Sequence, residues 1–104
     1  MSWKVYKNLI TLEGRIVNTT RVTTTYQILV TDHAVFCNTD GGAFTVTLPV
    51  GVEGQSLNIT NCGTNTLTLD GNGTETINGE LTQELFDSDS VHIVYNATEK
   101  WRIM

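Results

Sequence analysis

Gly41-Gly42-Ala43-Phe44-Thr45-Val46-Thr47-Leu48-Pro49 decides the fold class of this chain. A glycine turn opens it, apolar and threonine residues alternate through it, and a proline ends it. Alternation at period two places Phe44, Val46 and Leu48 on one face and Thr45 and Thr47 on the other, as a half-buried strand requires. The same grammar returns in Ser56-Leu57-Asn58-Ile59-Thr60 and in Thr66-Leu67-Thr68-Leu69-Asp70.

Working outward, turn residues recur at Asp40-Gly41-Gly42, Pro49-Val50-Gly51, Asn61-Cys62-Gly63, Asp70-Gly71-Asn72-Gly73, Asn78-Gly79, Asp87-Ser88 and Asn96-Ala97. Punctuation this regular predicts an all-β chain, an antiparallel β-sandwich or barrel-like module. Threonine is about one residue in six, which weakens helices and suits a pleated surface. Strands are expected near 3–6, 9–17, 21–31, 34–38, 43–48, 56–60, 66–70, 75–77, 81–86, 91–95 and 101–103. The segments 66–70 and 75–77 are expected to form a hairpin. The last two strands are expected to close the sheet, with Trp101 and Ile103 over the core.

The 104 residues bound the protein to one domain with one core. The formal net charge of −5 argues against sequence-independent nucleic-acid binding, which needs a basic face. Charge is unevenly placed: residues 1–21 hold Lys4, Lys7, Arg15 and Arg21 against Glu13 alone, while the rest holds ten carboxylates against Lys100 and Arg102. Residues 1–21 are therefore read as an extended N-terminal docking arm or first strands, and 22–104 as the β module. A basic arm on an acidic body suits docking on an acidic neighbour. Trp3 lacks an evident core partner, so it is expected to anchor in a neighbouring subunit.

No apolar run approaches the ~20 residues that span a bilayer, so no membrane partner is expected. Met1-Ser2-Trp3-Lys4 lacks a secretory leader, which predicts folding in a cytoplasm. Four Asn-x-Thr sequons, at Asn18, Asn58, Asn72 and Asn96, are therefore expected to stay unmodified. Cys37 and Cys62 show no metal or redox spacing and are expected to be buried or half-buried thiols.

Catalytic patterns are weak throughout. His33 lies in a turn and His92 mid-strand, with no local nucleophile beside either. Asp87 and Asp89 sit in a Ser/Asp turn, where such side chains bond the backbone. Asp70-Gly71-Asn72-Gly73-Thr74-Glu75 alternates oxygen groups but lacks the dense carboxylates of a calcium loop. The expectation is a non-enzymatic protein with no cofactor, metal or catalytic residue.

Several segments together resemble a β module of tailed-bacteriophage virion proteins: tail fibres, head fibres and decoration proteins. They are Tyr26 to Val30, Phe36-Cys37-Asn38-Thr39, the Gly41 to Pro49 stretch, Asn61 to Leu69, Glu75 to Gly79, Ser90 to Tyr95, and Trp101-Arg102-Ile103. The resemblance covers about four-fifths of the chain and leaves out residues 1–20. It implies a virion component, usually a homotrimer, with no catalytic residues to carry over. The expected function is a capsid decoration (cement) protein that trimerises on the head shell. Trp3, Lys4, Lys7, Arg15 and Arg21 would dock on the major capsid protein or another virion protein. The alternative is a tail-fibre or tail-tip module that binds host-surface glycan.

Overall fold

The structure, a computed structural model, describes residues 16–104. Strands 3–6 and most of 9–17 expected from the sequence lie outside the described residues, as do Trp3, Lys4, Lys7 and Arg15. The described residues form nine strands: β1 (Thr19–Val22), β2 (Tyr26–Gln27), β3 (Ala34–Cys37), β4 (Phe44–Thr47), β5 (Ser56–Asn61), β6 (Leu67–Asp70), β7 (Thr82–Leu85), β8 (Ser90–Asn96) and β9 (Lys100–Ile103). No helix is present among them. The described residues are all-β, as their alternation and turn spacing require.

Two sheets result, a five-stranded one in the order β1-β3-β5-β8-β9 and a four-stranded one in the order β2-β4-β6-β7. Odd and even strands thus alternate between the sheets through β6, so the chain winds: β1-β2, β3-β4 and β5-β6 are three successive turns. Strands of successive turns run parallel, β1 with β3, β3 with β5, β2 with β4, and β4 with β6. Only the closing part is antiparallel, β6 with β7, β5 with β8, and β8 with β9. The expected antiparallel arrangement is therefore corrected to two mixed sheets. The reason is physical: a period-two pattern shows which side chains face inward but carries no sign of strand direction.

Register explains the alternation. In the four-stranded sheet, Phe44 lies beside Leu67 and Leu67 beside Leu85, while Thr45, Thr68 and Glu84 line up on the opposite face. In the five-stranded sheet, Val35, Ile59 and Val91 share one row, with Ala34, Asn58 and His92 in the row beside it. Val35, Cys37, Leu57, Ile59, Ile93 and Trp101 from one sheet join Val46, Leu67, Leu69 and Leu85 from the other in a single buried cluster. The two sheets share one core.

Three local expectations need correction. The run 21–31 is not one strand: it breaks in a bend at Thr23–Thr24, because β1 and β2 belong to different sheets. Segment 75–77 is not the partner of β6; β7 is, and Ile77 makes only isolated bridges to Glu80 and Trp101. Gly71 sits so close to the backbone of Glu75 that the chain folds over itself there instead of pairing outward. The boundary drawn after residue 21 falls inside β1, which pairs with β3 throughout. The closing β8–β9 hairpin forms as expected, with Trp101 fully buried and Ile103 packed against the core.

A polar knot ties the sheets at the far end of β5. Asn61 is fully buried. Its Oδ1 accepts from Thr39 Oγ1 (2.9 Å) and from the Gly63 amide (3.0 Å). Its Nδ2 donates to the carbonyls of Asn65 (2.7 Å) and Leu85 (3.0 Å). All four hydrogen-bonding positions of the amide are filled, and β5 is linked to β7 across the core. Gly63 permits the knot, since a Cβ there would run into the backbone nitrogen of Thr39.

Candidate interaction surfaces

The first turn ends both sheets on one side, and a single carboxylate holds that rim together. Asp32 is only 8% exposed. Its Oδ1 accepts from Thr20 Oγ1 on β1 (2.7 Å), and its Oδ2 from the Tyr26 hydroxyl on β2 (2.8 Å) and the Leu29 amide (2.8 Å). The Asp32 amide returns a bond to the Leu29 carbonyl (3.0 Å), closing the loop into a reciprocal turn. Asp32 thereby fixes β1, β2 and the loop after β2 to one another, with no cationic partner among the described residues.

Burial pushes the Asp32 carboxyl up, but the bonds from Thr20, Leu29 and Tyr26 together outweigh it and hold the group below its ordinary value. The same contact moves Tyr26 the other way: its hydrogen bond to Asp32, with some burial and the carboxylate charge, raises the phenol. The folded carboxyl has the lower pKa, so its stabilisation is complete above the unfolded value of about 4 and is lost as pH falls through the folded one. Asp32→Asn is expected to lower stability at pH 7 by roughly 1.5–3 kcal/mol, since an amide cannot accept from all three donors. It should also flatten the acid limb of the melting temperature against pH. An unchanged acid limb in thermal melts from pH 7 to pH 2.5 would discount this role for Asp32.

Of the expected docking residues, Arg21 alone is described. It lies on β1, exposed, opposite Phe36 of β3. Among the described residues the one ion pair is Arg102 with Glu99 (3.1 Å), so Arg21 has no carboxylate partner there.

Next to Arg21, the outer side of the five-stranded sheet carries a shallow depression of about 500 Å3, whose lining includes Phe36, Asn58, Thr60, Ser90 and His92. Phe36 is 42% exposed there, an aromatic ring amid amide, hydroxyl and imidazole groups. His92 faces outward from β8, as expected. His33 reaches the same area, its Nε2 lying 3.3 Å from Asn58 Nδ2.

The remaining sequence candidates resolve into structural roles. Asp89 Oδ2 accepts from the Phe86 amide (2.8 Å) and the Asp89 amide donates to the Phe86 carbonyl (3.0 Å), the geometry of the Asp32 turn again. Asp87 takes the Ser88 hydroxyl instead (3.0 Å), so the two carboxylates do different local work. Glu75 turns to the Gly51 amide (3.0 Å). Cys37 is buried, and that burial pushes its thiol up to about 12. Cys62 is exposed, against expectation, because it follows the buried Asn61 and so takes the opposite side of the chain.

Sequence reasoning missed Asp32 and the β7 edge. The Asp32 turn had a signal, an Asp three residues after an apolar residue in a loop. Its partners Thr20 and Tyr26 become visible only when β1 and β2 are assigned to different sheets. No protein-family model matches the sequence, and no curated protein matches it.

Proposed function

We propose that this chain is a non-enzymatic structural protein of a tailed-phage virion, a decoration protein that trimerises on the head shell and stabilises it. In this reading the two sheets stack face to face as a sandwich, and the residues before β1 form an arm that reaches the shell. One observation carries it: among the described residues β1 and β2 are both edge strands, tied together at one rim by Asp32, and the basic residues precede β1 in the sequence. Edge strands with unpaired backbone groups are sites for strand addition. Cations in the segment that precedes β1 would suit an acidic neighbour. The mechanism is associative: Trp3 fills an apolar pocket, Lys4, Lys7 and Arg15 meet carboxylates, and added contact area resists expansion of the shell.

The β1 boundary dictates the experiment. Removal of residues 1–15 spares the Thr19–Val22 strand, whereas removal of 1–21 would cut it. The shortened chain is expected to keep its melting temperature within a few degrees and to lose attachment to heads in a co-sedimentation assay. Heads lacking the protein should rupture at lower temperature. Undiminished attachment by the shortened chain would refute this docking route.

The second reading is a tail-fibre or tail-tip module that binds host-surface glycan. The Phe36 depression favours it, because exposed aromatic rings beside amide and hydroxyl groups suit the apolar and polar edges of sugars. A label found only on tails, with glycan-array binding lost in Phe36→Ala, is the outcome that selects it.

A further inference from the structure

Two edges of this fold complement each other yet face apart. On β1, the carbonyls of Asn18 and Val22 accept from Ala34 and Asn38, so the backbone groups of Thr19 and Arg21 point away from the sheet. On β7, the Leu81 carbonyl accepts from Gly71, so Thr82 and Glu84 point outward in the same way. The other far edge, β9, is occupied by its own chain: Trp101 donates to Thr76, Asn78 donates to Trp101, and Ile103 donates to Asn78 Oδ1. Among the described residues β7 is therefore the open edge at the closing end, and β1 and β2 are the open edges at the first turn.

Charge and apolar exposure separate along the same line. Between Arg21 and Lys100 the sequence has no lysine or arginine. Glu80, Glu84, Asp87 and Asp89 are exposed on and around β7, flanked by exposed Leu81 and Phe86. At the first turn, Arg21 is accompanied by exposed Ile16, Leu29 and Val30, and the Asn18 side chain bonded to the Thr31 carbonyl (3.0 Å) holds those loops together. Each edge offers four strand residues, two of them with free backbone groups, opposite charge and an apolar border. β7 ends the sheet that β2 begins, so β7 and the first-turn rim cannot meet within one copy.

We infer that the β7 edge is a docking site for the β1 edge of a second copy of this chain, with Arg21 of one copy set beside Glu84 of the next. The inference rests on the self-association in the proposed function and moves Arg21 from the shell contact to the contact between copies. Because the two patches differ, the interface is head-to-tail, and such contacts close into rings when the rotation per copy permits. Three copies would close the trimer with every β1 and β7 edge paired. Strand addition supplies the backbone bonds, and the charges select partner and register.

Sedimentation velocity on the purified protein, with no particle present, tests this apart from any virion role. The wild type is expected to associate. Arg21→Glu and Glu84→Arg, both at exposed positions, should each weaken association about 10- to 100-fold. The double variant R21E/E84R should restore it to within a few-fold of wild type. A monomeric wild type, a single reversal without effect, or a double variant no better than the singles would each overturn the inference. Failure to attach to heads, with charge-swap rescue intact, would count against the virion reading and leave this interface standing.

Discussion

Trp101→Ala is expected to leave no stably folded protein at 25 °C. Trp101 is fully buried in β9 and meets Tyr95 of β8 edge-to-face, with ring centroids 5.2 Å apart and planes at 67°. Its backbone N–H and C=O are both taken by the Thr76–Asn78 segment, while the residues on either side of it pair β9 with β8. Truncation of a buried tryptophan costs roughly 3–5 kcal/mol through lost burial and the cavity left behind. The edge-to-face pair adds about 0.5–1.5 kcal/mol. Set against a total of about 5–15 kcal/mol for a domain, this is about half of a typical margin and all of a small one, as expected for a short chain with a single core. Trp101→Phe is the informative control. The indole Nε1 has no hydrogen-bond partner among the described residues, so phenylalanine removes a buried donor while keeping a ring against Tyr95. Urea unfolding followed by far-ultraviolet circular dichroism should show the alanine variant unfolded without urea and the phenylalanine variant folded. A cooperative transition for Trp101→Ala near the wild-type midpoint would show that the core does not depend on this ring.

Asn61→Leu should be nearly as damaging, for the opposite reason. Leucine keeps the branched heavy-atom skeleton and is more apolar, so burial alone predicts gain. Yet the substitution leaves the buried Gly63 amide without its acceptor and takes a bond each from Thr39 Oγ1, the Leu85 carbonyl and the Asn65 carbonyl, so that Thr39 and Asn65 keep only each other at this point (2.8 Å). Each buried group left unpaired costs about 1–3 kcal/mol, and coupled networks lose more than isolated bonds. The expected loss is on the order of 3–6 kcal/mol. Asn61→Asp should not rescue it, because a carboxylate keeps the acceptor for Thr39 and Gly63 but repels the two carbonyls. Equal midpoints for wild type and Asn61→Leu in the same urea titration would contradict this account.

Much of the strand content was legible because it depends on local pattern. The Phe44 to Thr47 alternation is β4, and the expected 34–38, 56–60, 66–70, 81–86, 91–95 and 101–103 each match an observed strand to within a residue or two. The burial of Trp101 and the outward face of His92 also follow from period two. What was not legible is whatever depends on which strand lies beside which. Parallel and antiparallel neighbours need the same alternation, so the winding of β1 to β6 leaves no local trace. Nor does it leave a repeat: Thr19 lies beside Ala34, but Ala34 lies beside Asn58, so successive turns differ in length and no period recurs. Asp32 and Asn61 escaped notice for the same reason. Each sits in a loop or at a strand end where a polar residue is unremarkable, and only the meeting of distant segments makes it central. The basic residues Lys4, Lys7 and Arg15 were legible as charge alone.

The winding also grades the molecule from one end to the other. Among the described residues, a strand in the middle turn is gripped on both sides, whereas β1 and the two-residue β2 are each gripped on one, with Asp32 as their clasp. Local opening in proteins begins where neighbours are fewest. The rim proposed as a docking edge is thus the one with fewest neighbours among the described residues, and a strand seated there would take the place of a further neighbour. In the proposed assembly, occupancy and rigidity of this rim would rise together.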